Sequence, residues 1–348
     1  MLARATLDEH AAQLPPELIA GAPPEARGLR RDQVRLMTVI GDTIEHGRFS
    51  DIAHQLKRGD LLVVNTSATI PAAAHGRRDG NRAVVVHFAT PLPDGAWVVE
   101  LRQPDRSGPQ WDGRASERIT FRDGADLVLQ KPYARHAARR FWRARVRTPY
   151  PVQEWLQRHG HPVSYAHTTE PWPLDAYQTV FARDPGSAEM PSAGRPFTET
   201  LVMELTARGV VTAPILLHAG LSSGDADDHL LPERYAVSDA TARLVNATRA
   251  ASGRVVAVGT TVVRALETVA DPDGTVHADR GWTNLELSVH RPARAVTGLL
   301  TGWHEPGSSH LRLLESIAGV HAVASAYEAA VDHRYRWHEF GDSCLFLT

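Results

Sequence analysis

Residues 75–148 form a stretch of short, turn-punctuated β runs that interrupts a chain otherwise alternating continuous apolar runs with helical periodicity. One uninterrupted α/β sheet cannot be threaded through such a stretch, so the chain must set it aside as a separate unit. The runs 82–89, 96–102, 118–122 and 126–130 are rich in Val, Ile, Leu and aromatic residues and are separated by Gly, Pro and Asp. Asp123-Gly124 marks a hairpin turn, and 143–147 alternates Arg with small apolar residues as a strand with one wet face does. Charge changes over the same stretch. His75 to Arg147 holds 14 Arg and Lys131 against 8 acids, a balance of +7, in a chain whose formal charge is -2.

The flanking parts read as α/β units. Leu61 to Val64 is a continuous apolar run suited to a strand buried on both faces. A helix over 198–208, capped by Thr198, leads into a strand over 210–217. Ser238 or Asp239 caps a helix through Ala250 that Gly253 ends, a strand follows over 254–258, and Thr261 to Ala270 reads as the next helix. The expected fold is a mixed-sheet α/β domain, residues 1–74 and 149–348, interrupted by a small β-barrel-like domain at 75–148.

With 348 residues and 43% hydrophobic content, the chain can bury a sizeable core in about two domains. Its near-neutral charge excludes a uniformly basic nucleic-acid binder and an acidic disordered tail. One cysteine, Cys344, excludes an internal disulfide and a multi-thiolate zinc site. The first ten residues lack the apolar core of a signal peptide, and no apolar stretch reaches the roughly 20 residues of a membrane span. Cytoplasm is the expected compartment.

Three apolar strands end in polar or glycine clusters, where α/β sheets usually bind ligands: Asn65-Thr66-Ser67, His218-Ala219-Gly220 and Gly259-Thr260-Thr261. The last opens a helix, so its amides and hydroxyls either receive a carboxylate or phosphate or serve as a plain N-cap. Arg264 and Glu267 read as an i,i+3 ion pair. No G-x-G-x-x-G turn, phosphate loop or H-E-x-x-H spacing is present, which disfavours nicotinamide, P-loop and zincin chemistry, and no metal is expected. Gly220-Leu221-Ser222-Ser223-Gly224 matches a nucleophile elbow, but the acidic, proline-bearing continuation lacks the helix an elbow needs. Arg139 to Arg147 mixes cations with Phe141 and Trp142 and invites an RNA reading. Strand alternation alone also explains that spacing, and an ordinary solvated face is the preferred reading of the residues themselves.

Tyr177-Gln178-Thr179-Val180, Pro191 to Gly194 with Phe197-Thr198, Leu217-His218 with Gly220-Leu221, 253–261 with Arg264 and Leu266-Glu267, Gly281-Trp282-Thr283, and Phe340-Gly341-Asp342 resemble, in this order, the S-adenosylmethionine:tRNA ribosyltransferase-isomerases of queuosine biosynthesis. Leu14 to Ala20 and Gly59 to Asn65 with Ile70-Pro71-Ala72 extend the likeness toward the N-terminus. The resemblance implies an α/β domain interrupted by a barrel. It also implies that the ribosyl group of S-adenosylmethionine is transferred to the aminomethyl group of a 7-deazaguanine in tRNA. Adenine and methionine leave, and the ribose becomes an epoxycyclopentane. The sulfonium acidifies the adjacent C5′ hydrogen for a base, while the attacking amine must be neutral. S-adenosylmethionine is thus a substrate, and no prosthetic group is implied.

By the resemblance, the candidate catalytic residues are His218, Glu233, Glu267 and Asp342, with His218 the first choice of base because it ends a strand and titrates near neutrality. The implied substrate-binding residues are Asn65, Ser67, Tyr177, Gln178, Pro191, Ser192, Ala193, Gly194, Phe197, Thr198, Gly220, Gly259, Thr260, Thr261, Arg264 and His304. The tRNA would lie along the basic insertion, at Arg139, Arg140, Arg143, Arg145 and Arg147. The chain departs from the family pattern after Asn65, where Thr66-Ser67-Ala68 replaces Asp-Thr-Arg. It departs again at Arg195-Pro196, at Ser222-Ser223, and at Thr301 to Ser309, which keeps His304 but loses a lysine. Such losses keep open a paralogue with a small-molecule acceptor and a non-catalytic nucleoside or RNA binder.

Overall fold

The structure is a computed structural model and describes residues 15–133, 140–168, 170–221, 231–305 and 308–348. Leu61–Asn65 and Val255–Val258 are buried at every position, as expected of central strands covered on both sides. They lie inside a nine-stranded sheet in the order Asp279–Thr283, Glu233–Val237, Val211–Leu217, Leu61–Asn65, Val255–Val258, Gly298–Gly302, Ser343–Leu347, Arg35–Ile40 and Thr43–Arg48. The four strands from Val211–Leu217 to Gly298–Gly302 run parallel, and Ser343–Leu347 enters between Gly298–Gly302, antiparallel to it, and Arg35–Ile40, parallel to it.

Alternation along each strand divides the core in two. Leu61 and Val63 face the helices Asp239–Ala250, Thr260–Thr268, Ser309–Ala318 and Val320–Asp332, whereas Leu62 and Val64 face the helix Glu199–Ala207 and the short turn Ile52–Gln55. Thr198 and Ser238 cap their helices by accepting from the amides of Leu201 and Thr241. Asp239 is therefore the first helical residue, and the helix after Gly259 runs Thr260–Thr268 rather than to Ala270.

The β runs close into a barrel in the order Phe141–Arg147, Trp97–Arg102, Ala83–Pro91, Ala73–Arg77, Arg118–Thr120 and Asp126–Pro132. Asp123, at φ 58°, makes the expected tight connection. Ala73–Arg77 spans the boundary expected at 74 and 75; with no β-branched residue it gave no strand signal. Among the described residues no helix is long and apolar enough to cross a membrane.

Candidate active site

The strand-end clusters at His218–Gly220 and Gly259–Thr261 meet a fourth strand end, Thr301 to Glu305, around a cavity of about 470 Å³. Its opposite wall comes from the barrel, through Arg102 and Arg140, and from Pro162 to His167. Gly259 makes the turn possible. Its φ of 90° lies outside the range comfortable for other residues, and a Cβ there would approach the Ala193 Cβ to 3.3 Å. The first two residues of the helix Thr260–Thr268 therefore line the cavity.

Deep in the cavity the Glu233 carboxylate pairs with Arg264 and accepts from the Gly220 amide at 2.8 Å. Arg264 is completed by the carbonyls of Leu285 and Thr283. His304 and His310 stack with ring centroids 4.5 Å apart, and Thr301 Oγ1 lies 2.9 Å from His304 Nε2. Burial pushes the pKa of His304 well down and that of His310 down to about 4, so both rings are neutral at pH 7. Near the mouth His167 stacks on His338 at 4.3 Å and bonds Glu339 at 3.2 Å. Burial works against that pair's charges, yet the mutual hydrogen bond prevails: His167 titrates above, and Glu339 below, the usual range. Among the described residues, His167, His338 and Glu339 are the group with ligand atoms all within 4.8 Å, a set able to hold a cation. On the barrel side Tyr165 donates to Glu189, and Arg102 and Arg140 are held by the fully buried Glu100 at 3.0 and 2.7 Å. Burial opposes ionisation of Glu100, but the neighbouring His87 and the two arginines outweigh it and hold the pKa at about 2.

Of the candidate catalytic and substrate-binding residues, Tyr177, Pro191, Ser192, Ala193, Gly220, Glu233, Gly259, Thr260, Thr261, Arg264 and His304 line this cavity. The others do not. His218 turns away from it, because alternation presents Ala219 instead; its Nδ1 bonds Ser67 Oγ at 2.8 Å and its ring fills the space a Cβ on Gly186 would need. Burial, then the charge of Arg234, lowers its pKa to about 4. Asn65 is saturated by the Leu217 backbone, the Ser67 amide and Thr261 Oγ1, and Ser67 by Ser187 and His218. Gln178 clamps the Thr69 backbone, Gly194 and Phe197 pack behind the wall, and Thr198 is a helix cap.

Glu267 accepts three consecutive amides, Arg294, Ala295 and Val296, so the expected pair with Arg264 is not formed; Arg264 reaches across to Glu233 instead. Asp342 accepts from the amides of Arg35 and Arg336 and lies outside the cavity. Both carboxylates brace loops.

The sequence reading missed Arg102, Tyr165, His167, Glu189, His310, His338 and Glu339. Only His338-Glu339 carried a signal, standing directly before the Phe340-Gly341-Asp342 motif. Along the barrel strand, Arg143 pairs with Asp94, Arg147 with Asp126, and Arg145 is exposed. Arg139 and the Ser222–Gly224 part of the elbow-like motif lie outside the described residues.

A cavity at the carboxyl ends of parallel strands, walled by an inserted barrel, defines an α/β enzyme scaffold that encloses a small molecule. The sequence pattern described as "Queuosine biosynthesis protein" matches residues 7–346, and the chain belongs to that family. Two relatives are described as S-adenosylmethionine:tRNA ribosyltransferase-isomerase. The one from Moorella thermoacetica is 36% identical over 98% of this chain and 99% of its own length; that from Symbiobacterium thermophilum is 37% identical, with 96% and 97% covered. The crystal structure of the S-adenosylmethionine tRNA ribosyltransferase from Thermotoga maritima is 28% identical, covers 96% of this chain and 98% of its own, and superposes with a TM-score of 0.52.

Proposed function

We propose that this protein transfers and isomerises the ribosyl group of S-adenosylmethionine onto 7-aminomethyl-7-deazaguanine in tRNA, releasing adenine and methionine. One observation carries this reading: a single cavity joins the Gly259 turn to barrel residues Arg102 and Arg140, so a nucleoside held by the sheet can meet a base presented from the barrel side. The first-turn amides at Thr260 and Thr261 suit the carboxylate of S-adenosylmethionine. Glu189, Glu305 and Glu339, all on the cavity wall, favour the sulfonium and can take the proton that the attacking amine must lose.

His304 takes the role first given to His218. It faces the cavity, and burial keeps it uncharged beside a cationic substrate. In the tautomer that donates Nε2–H to Thr301 Oγ1, Nδ1 keeps a lone pair for the C5′ proton. Loss of that proton starts expulsion of adenine; amine attack and loss of methionine complete the transfer.

The test is to incubate the protein with S-adenosylmethionine, with and without tRNA carrying the deazaguanine, and identify products by mass spectrometry. Adenine and methionine should appear only with that tRNA, and release without it would point to a small-molecule acceptor. His304→Gln should cut adenine release by about 100-fold or more while calorimetry still detects S-adenosylmethionine binding.

A further inference from the structure

On the far side of the loop His338–Asp342 from the active cavity lies a second groove, of about 550 Å³, lined by Arg27, Arg35, Arg48, Arg334 and Arg336. Its anchoring differs from that of an ordinary arginine-rich surface. Arg27 donates to the Phe340 carbonyl at 2.7 Å, Arg35 to the His333 carbonyl at 2.5 Å, and Arg48 to the Gln33 carbonyl at 3.0 Å. A carbonyl fixes a guanidinium without cancelling its charge, and each fork keeps further N–H groups for another acceptor.

Asp342 is the one carboxylate among the described residues of the lining, and its two oxygens accept from the amides of Arg35 and Arg336 at 2.8 and 2.7 Å, tying these two backbone segments together. Among the described residues, the other acid paired with a groove arginine is Glu17, in the exposed Arg334–Glu17 pair at 3.2 Å, of a kind worth little in water. Behind the lining, the Arg35 guanidinium lies 3.8 Å from the ring centre of the buried Tyr335, and His46 of the lining stacks on His333 at 4.1 Å.

We propose that this groove binds the phosphodiester backbone of the RNA substrate and so sets the register in which the target base enters the active cavity. The inference rests on the function proposed above. Proximity supports it: the two sites share one loop, His338 and Glu339 lining the active cavity and Asp342 the groove. Phosphates engaged by fixed guanidiniums position a nucleic acid without reading its sequence, and each one neutralised releases counterions.

The experiment measures tRNA affinity as a function of salt for the parent, for Arg334→Ala/Arg336→Ala, and for Arg143→Ala on the barrel. Each protein is checked by thermal unfolding and by calorimetry with S-adenosylmethionine. The groove variant should bind tRNA roughly tenfold more weakly, with a salt slope shallower by about 2, while binding S-adenosylmethionine like the parent. Arg143→Ala should match the parent. Unchanged tRNA affinity and slope in a folded groove variant would overturn the proposal, as would a loss confined to Arg143→Ala. If the parent binds tRNA through the groove but releases no adenine with it, the catalytic reading fails and the groove stands.

Discussion

Two regions of this molecule are rich in arginine, and their surroundings make them opposites. On the barrel, Arg78 is clasped by Glu117 and Asp112, Arg140 by Glu100, Arg143 by Asp94 and Arg147 by Asp126. In the groove, Arg27, Arg35 and Arg48 lean on carbonyls, and Asp342, the one carboxylate among the described lining residues, accepts from backbone amides rather than from a guanidinium. The number of arginines therefore says little about a surface. What stands beside them decides whether they hold the fold together or remain available to an anion.

The sharpest way to break this contrast is Arg78→Ala. The side chain is 1% exposed and bonds both oxygens of Glu117, so its removal strands a buried carboxylate. Urea unfolding should show a loss of about 3–5 kcal/mol with no change in tRNA affinity. Acid should separate the regions next. Glu100 is held at a pKa of about 2 against an ordinary 4.5, so its contribution is complete above 4.5 and is lost as pH falls toward 2. That contribution is on the order of 3 kcal/mol, and Glu100→Gln should flatten the stability profile through this window. The smallest effect belongs to Arg143→Ala, whose partner Asp94 is 56% exposed: less than about 1 kcal/mol of stability should be lost, measured by the same unfolding curve.

Much of this arrangement was legible in the residues. Leu61 to Val64 and 255–258 announce strands buried on both sides, Thr198 and Ser238 announce their helices, and Gly259 announces the turn that shapes the cavity. Direction at a strand end was harder to read. His218 and Ala219 are neighbours, and one residue of alternation sends the imidazole to Ser67 and leaves a methyl in the site. Glu267 and Asp342 looked chemical because carboxylates on short motifs can act as bases; only the loop amides folded around them reveal braces. His167 and Glu339 meet across 172 residues, a pairing no local pattern encodes.

The place of Ser343–Leu347 has a consequence for how the molecule comes into being. This strand is an interior stave of the sheet, yet the ribosome makes it long after Arg35–Ile40, the strand on one side of it. Until it arrives, the hairpin of Arg35–Ile40 and Thr43–Arg48 has both edges unpaired and no link to the rest of the sheet. The same late segment brings Arg334 and Arg336 to Arg35 and Arg48. Assembly of the anion-binding face is thus tied to closure of the core, and a nascent chain passes through most of its synthesis with no means of seizing RNA there.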